Sequence, residues 1–295
     1  MSYHEVNRIA RISTTSMGFN KKDIARKVFL ARTQAIPFPL FSQTYPNSNL
    51  VDSYSIGEAV EEEFVQVYGP VVGWKAGYTN KSLWNAMGVV EPFYAPMYNK
   101  TVHEIVMGTD TVYCNLDGMV SPRIEPEIVF RLRGDKKITP DMSDSHVLME
   151  CVDGIAFGYE IVSSVPGWKN ITPRDAIIIG GLHSALFHTP FIRPSENMAN
   201  LISKFTAVLA KNGQQVAKGT AWNVVESPLI SLKDLARIID RTRGDSSRRL
   251  KSGDLVTTGS ITAACPVNPG EKWRTELHGI GLVPFEIQFG QGSKL

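Results

Sequence analysis

A chain of 295 residues with 43% hydrophobic and 20% charged side chains has ample apolar mass for a core, which excludes an intrinsically disordered protein. Lys and Arg total 31 against 29 Asp and Glu, and a net charge of +2 is too weak a field to imply a nucleic acid or an anionic membrane as partner. No apolar run approaches the roughly 18 residues a membrane span needs, since the longest, Ala176 to Phe187, is interrupted by Gly180, Gly181 and His183.

The first 20 residues carry Arg8 and Arg11 but also Glu5, which leaves an organelle-targeting peptide open without indicating one; a cytoplasmic protein is expected. Residues 21 to 34 and 55 to 68 interleave apolar and charged side chains at helical spacing and predict two amphipathic helices. The Pro- and Asn-rich stretch AIPFPLFSQTYPNSNL joins them as an ordered connection or hinge. This gives an N-terminal helical appendage over 1–70 and a β-rich body over 71–295. In that body VVGWKAGY, TVYCNL, RIEPEIVFRL, GIAFGYEIV, AIIIG, FTAVLAKNGQQVAKG, DLVTTGS, EKWRTELHG and VPFEIQF read as strands. Asn212-Gly213 predicts a two-residue hairpin turn, and Leu229 to Ile239 after Pro228 predicts a helix packed on the sheet. Cys114, Cys151 and Cys265 form no CxxC pair, so buried free thiols in a reducing compartment are expected.

Candidate chemistry lies in the acidic residues. In Arg123-Ile124-Glu125-Pro126-Glu127-Ile128-Val129-Phe130 the period of a strand puts Glu125 and Glu127 on one face and the apolar residues on the other. Like charges so close need a neutralising partner, for which a hard divalent ion is suited. A half-buried strand with its polar face in water is the other reading. Pro126 favours an edge or a bulge. Glu160 is sharper, because the segment from Gly154 to Val162 is otherwise apolar on both faces and predicts a buried strand. A buried carboxylate must meet an arginine, a hydrogen-bond network or a metal. Lys75, between Gly73 and Gly77, reads either as a titrating lysine in a site or as a lysine reaching out to solvent.

At these residues the chain resembles the 2-keto-4-pentenoate hydratase and 2-oxo-3-hexenedioate decarboxylase group of the fumarylacetoacetate hydrolase superfamily. The resemblance rests on GWKAGYTN, SPRIEPEIVFRL, GIAFGYEIV, DAIIIGGLHSAL, NGQQVAKGT and SGDLVTTGSITAACPVNPGEKW, in that order over about residues 20 to 290. An ExE pair followed roughly 30 residues later by a strand glutamate is specific where no single piece is. The resemblance implies an α+β fold, a β-rich mixed roll of the superfamily's C-terminal-domain type behind the N-terminal helices. It implies Mg²⁺ or Mn²⁺ on Glu125, Glu127 and Glu160, catalytic roles for Lys75 and Asp175, and a substrate loop at Thr258, Gly259 and Ser260. It further implies a homodimer or larger homo-oligomer and a small 2-oxo-acid substrate, in keeping with catabolism of aromatic compounds.

The expected chemistry is that of a lyase, a hydratase or decarboxylase, working through a metal-stabilised enolate of a 2-hydroxydienoate or 2-oxo-enoic acid. Lys75 near a cation is expected to have a lowered pKa. An acylpyruvate-type hydrolase of the same superfamily is the enzymatic rival, with His103-Glu104 as its water-activating pair or else a polar loop. A non-catalytic ligand-binding homologue is the rival from another class. His183 is either near the site or a core histidine, and Tyr78 with EPFYAPMY either shapes a specificity pocket or packs the core.

Overall fold

The computed structural model describes residues 19–106, 108, 111–134, 136–243 and 249–291, so the targeting question at the N-terminus falls outside the described residues. Helix α1 (Lys21–Thr33) starts where the Asn20 side chain accepts from the Lys22 and Asp23 amides, and it buries Ile24, Ala25, Val28 and Ala31. Helix α2 (Leu50–Tyr68) begins five residues before the apolar pattern that predicted it, because Asn49 and Asp52 form a capping box; Gly69, with φ 80°, ends it. The side chains these helices bury, Val28, Ile56, Val60 and Phe64 among them, lie in the same apolar core as the strands that follow. The helical segment is thus continuous with the body in packing.

Two mixed sheets make up the body. The first has the order β2-β1-β10-β5-β6-β7-β3, with β11 also on β5. Its strands are β1 (Val71–Gly77), β2 (Phe93–Tyr98), β3 (Val102–Glu104), β5 (Arg123–Leu132), β6 (Val152–Val162), β7 (His183–His188), β10 (Leu255–Thr257) and β11 (Cys265–Pro266). The second runs β4-β13-β12-β8-β9, from β4 (Thr111–Asn115), β8 (Thr206–Lys211), β9 (Gln214–Thr220), β12 (Lys272–His278) and β13 (Glu286–Gly290). Pairs β1–β10, β3–β7 and β4–β13 are parallel and the rest antiparallel, which gives the expected α+β class and mixed β-rich roll.

The predicted hairpin is present: Asn212 and Gly213, with φ 50° and 80°, join β8 to β9. The predicted helix runs over Pro228–Thr242, with Pro228 in its first turn behind the Ser227 cap. AIIIG is not a strand. It lies largely in helix α3 (Pro173–Ile178), started by a capping box of Thr172 and Asp175 with Pro173 in the first turn. Those start signals outweigh the short β-branched run, which periodicity alone cannot assign. The strand β2, which the sequence presents either as lining of a specificity pocket or as core packing, shows no alternation because every residue in it is buried.

Pro126 sits in a central strand, contrary to the edge expected, yet at a local gap. There β10, paired to residues 129–131, has ended, and β11, paired to 123–124, has not begun. The Pro126 carbonyl accepts from Ile261 of the intervening loop, so the missing N–H faces a loop and breaks no ladder. Among the described residues no helix is long and apolar enough to cross a membrane. The cysteines are free thiols, Cys114 and Cys151 buried and Cys265 partly so.

Candidate active site

Strands β5 and β6 pair antiparallel with Glu125 opposite Glu160 and Glu127 opposite Gly158. Opposed residues share a face, so the register brings all three carboxylates to one side of the sheet. One oxygen from each lies within 4.8 Å of the others, a group able to hold a metal ion. Glu127 and Glu160 are completely buried, and Glu127 Oε1 and Glu160 Oε2 have no hydrogen-bond partner. The Gly259 amide donates to Glu127 Oε2 at 2.9 Å.

Lys75 enters from β1, buried rather than reaching out to solvent. Its Nζ donates to the Gly181 carbonyl at 3.1 Å and lies 3.2 Å from Glu160 Oε2. The flanking glycines permit close approach, as expected: a Cβ on Gly73 would meet the Leu255 carbonyl oxygen at 2.2 Å, and one on Gly77 the Phe93 ring at 2.3 Å. His183, at the start of β7, places Nδ1 2.8 Å from Glu160 Oε1 and Nε2 2.8 Å from Thr101 Oγ1. Glu160 therefore meets both a basic group and the other two acids.

The charges explain what this set lacks. Burial pushes the Glu125 carboxyl up to about 7, against the pull of Lys75. Burial and its two acidic neighbours hold Glu127 well above the carboxylate range. For Glu160 burial acts in the same direction, but Lys75 and His183 outweigh it and hold the group below its usual value. Burial would lower Lys75, yet Glu160, Glu125 and Glu127 raise it above the ordinary lysine value. Among the described residues Lys75 is the only lysine or arginine within ion-pair distance of the three acids. When all three acids are ionised, three carboxylates and one ammonium lack two positive charges, the charge of one divalent ion, and the oxygens without a hydrogen bond are hard donors of the kind that ion prefers.

The other candidates are placed differently. Asp175 is buried at the start of α3, where its carboxylate accepts from the Ser42 amide and hydroxyl and from the Thr172 amide and hydroxyl, at 2.6–2.9 Å. Its oxygens are spent on tying α3 to the N-terminal segment. Thr258 donates to the Ile128 carbonyl and Ser260 to that of Thr262, so both hydroxyls are engaged within the protein. Gly259 has φ +105°, and a Cβ there would come within 2.0 Å of Thr79 Oγ1. Only glycine admits this turn against Thr79, a buried residue the sequence reading passed over. Tyr78 packs edge-on against Phe93, while the rest of β2 is core. His103 and Glu104 lie on edge strand β3, with the His103 ring stacked on Phe187. His183 and Thr101 are the partners that sequence left undecided or unseen; the Gly-Gly turn just before His183 was the available signal.

No family model matches the chain. It is 24% identical over 274 residues to 2-keto-4-pentenoate hydratase of Paraburkholderia xenovorans (strain LB400), spanning 92% of this chain and 96% of the relative. It is 24% identical over 265 residues to 4-oxalocrotonate decarboxylase of Pseudomonas putida, spanning 88% and 94%. Among solved structures, 4-oxalocrotonate decarboxylase from Pseudomonas putida G7, complexed with magnesium and adipate, superposes with a TM-score of 0.79 at 20% identity, over 91% of this chain and 97% of that one. Fumarylpyruvate hydrolase from Pseudomonas aeruginosa, in complex with Mn²⁺ and pyruvate, gives 0.55 at 16% identity, over 74% and 89%. The fold is that of the fumarylacetoacetate hydrolase superfamily. The chain is an enzyme of the hydratase and decarboxylase kind, as its motifs led one to expect.

Proposed function

We propose that the chain is a divalent-metal-dependent lyase, a hydratase or decarboxylase of short 2-hydroxydienoic or 2-oxo-enoic acids, with Glu125, Glu127 and Glu160 as ligands of Mg²⁺ or Mn²⁺. The observation that carries this reading is the cluster of three carboxylates, two of them fully buried, which when ionised is short of two positive charges and leaves Glu127 Oε1 and Glu160 Oε2 without a hydrogen bond. The names of the relatives, and the magnesium and adipate in the structural neighbour, support the same ion and substrate class. When bound, the ion supplies positive charge against the C2 oxygen of such an acid, where negative charge develops on protonation, hydration or loss of CO₂.

Lys75 holds a proton at Nζ beside the triad, oriented by the Gly181 carbonyl, and serves to transfer it or to grip the substrate carboxylate. The Gly259 turn orients Glu127 through its amide, which makes its role one of positioning a ligand more than of touching substrate. Asp175 acts at a distance, by fixing α3 and with it the turn that leads to Gly181 and His183. A homo-oligomer and a place in the catabolism of aromatic compounds belong to the same proposal.

The test is incubation of purified protein and Mg²⁺ with 2-hydroxypenta-2,4-dienoate, 2-oxo-3-hexenedioate and acetylpyruvate. Addition of water or release of CO₂ is expected; release of pyruvate from acetylpyruvate would move the chain to the hydrolases. Oxalate, a mimic of the enolate's two oxygens, should stabilise the protein thermally in a metal-dependent way. That stabilisation without turnover of any of the three would leave a binding protein in place of an enzyme.

A further inference from the structure

His183 is a buried histidine whose two ring nitrogens each have one partner, Glu160 on one side and Thr101 on the other. A carboxylate only accepts, so Nδ1 carries the hydrogen, and Nε2 lies 2.8 Å from Thr101 Oγ1, whose single hydrogen is shared between this nitrogen and the Tyr98 carbonyl 3.0 Å away. Thr101 is itself pinned, since its Oγ1 accepts from the Tyr98 amide at 3.2 Å. Oε1 of Glu160 is thereby occupied and its Oε2 is left without a hydrogen bond, turned toward Lys75.

The backbone before this histidine is strained. Gly180, Gly181 and Leu182 have φ of 72°, 67° and 66°, three consecutive residues in the left-handed region, and Leu182 has no glycine's freedom there. This turn aims two groups at Glu160: the Gly181 carbonyl, which holds Lys75, and the His183 ring. Arg32 of α1 holds the turn from outside, donating to the carbonyls of Ile179 and His183 and to Ser184 Oγ. A core histidine that merely filled space would need none of these.

We infer that His183 is a positioning residue for the metal site: the chain Thr101, His183, Glu160 fixes the rotation of the third carboxylate, so that its other oxygen, beside Lys75, is presented to the ion. The inference rests on the reading of Glu125, Glu127 and Glu160 as ligands. Such a partner behind a metal ligand is worth about 10- to 100-fold in affinity.

The experiment measures the affinity of the purified full chain for Mn²⁺ alone, by calorimetry or by the spin-resonance signal of free Mn²⁺. Unfolding temperature in a chelator is recorded in parallel. His183→Leu is expected to weaken Mn²⁺ binding about 10- to 100-fold. His183→Asn, which keeps a donor near the Nδ1 position, should recover much of that loss. Thr101→Val should weaken binding about threefold through the loss of one neutral hydrogen bond. If His183→Leu does not fold, the other two variants carry the test. Mn²⁺ affinity unchanged within twofold in every variant that folds, whatever its unfolding temperature, would reduce His183 to packing and overturn the inference. Wild-type protein that fails to bind Mn²⁺ would instead strike the ligand assignment itself, and Glu125→Gln, expected to abolish tight binding, separates the two outcomes.

Discussion

Two regions bury acidic side chains, Asp175 in one and Glu127 and Glu160 in the other, and treat them in opposite ways. At the start of α3, Asp175 accepts four hydrogen bonds, from the amides and hydroxyls of Ser42 and Thr172. On β5 and β6 three glutamates crowd together, Glu127 Oε1 and Glu160 Oε2 accept no hydrogen bond, and the latter faces the Lys75 ammonium at 3.2 Å. A buried charge that is fully bonded stabilises its surroundings, whereas one left short is a standing penalty, tolerated where something else completes it. Burial of an acid therefore does not by itself point to a metal. The shortfall in hydrogen bonds and in charge is what supports the proposal of one.

The sharpest way to break this comparison is to neutralise one acid in each region. Glu127→Gln should weaken Mg²⁺ or Mn²⁺ binding by at least about 100-fold by titration calorimetry, since one of three charged ligands is gone. In a chelator the same variant should unfold no lower than wild type, because it relieves repulsion among buried carboxylates. Asp175→Ala should show the reverse pattern. It loses a cap and strands the Ser42 and Thr172 donors, so a destabilisation of about 3 kcal/mol is expected in urea, with metal affinity in the folded protein changed much less. If Asp175→Ala lost metal as completely as Glu127→Gln, the division of labour between the two regions would be wrong.

The same contrast accounts for what the sequence made legible. Strand period alone put Glu125 and Glu127 on one face, and an otherwise apolar segment made Glu160 conspicuous, because both signals are local. That Glu125 faces Glu160 is a matter of register between strands, and only the family's motif order hinted at it. The matching motif implies a catalytic role for Asp175, and the local signal, Thr-Pro-Arg-Asp at a helix start, accounts for its capping box. His183 and Thr101 are 82 residues apart. No pattern along the chain joins them, and the strained turn that aims the histidine is visible only in backbone angles.

A smaller effect follows from pH. Glu125, at about 7 in the folded chain, lies above its ordinary value of 4.5, so between these limits the folded protein binds more protons than the unfolded chain. Stability present below the ordinary value is then lost as pH rises toward 7. Glu160 acts oppositely, but its value is lowered and its window lies below that range. In a chelator the unfolding temperature should therefore fall by a few degrees, on the order of 2–4, between about pH 5 and pH 8. Saturating Mg²⁺ should flatten this fall, whereas Glu125→Gln should remove only part of it, because Glu127 is also held well above its ordinary value. A slope identical with and without metal would mean that the triad does not titrate as its charges require.

The smallest effect concerns the strand that carries two of the acids. Pro126 lies between Glu125 and Glu127 where β10 has left β5 and β11 has not joined it, so its absent N–H faces the 258–264 loop. Pro126→Ala restores an amide that no ladder needs and frees the unfolded chain, for a loss of about 0.4–1 kcal/mol in urea unfolding. Metal affinity should stay within about twofold, because the β5–β6 register that opposes Glu125 to Glu160 survives. A large drop in affinity with little loss of stability would mean that the proline itself sets the spacing of the two carboxylates, and that the gap beside it is part of the metal site more than a consequence of the loop.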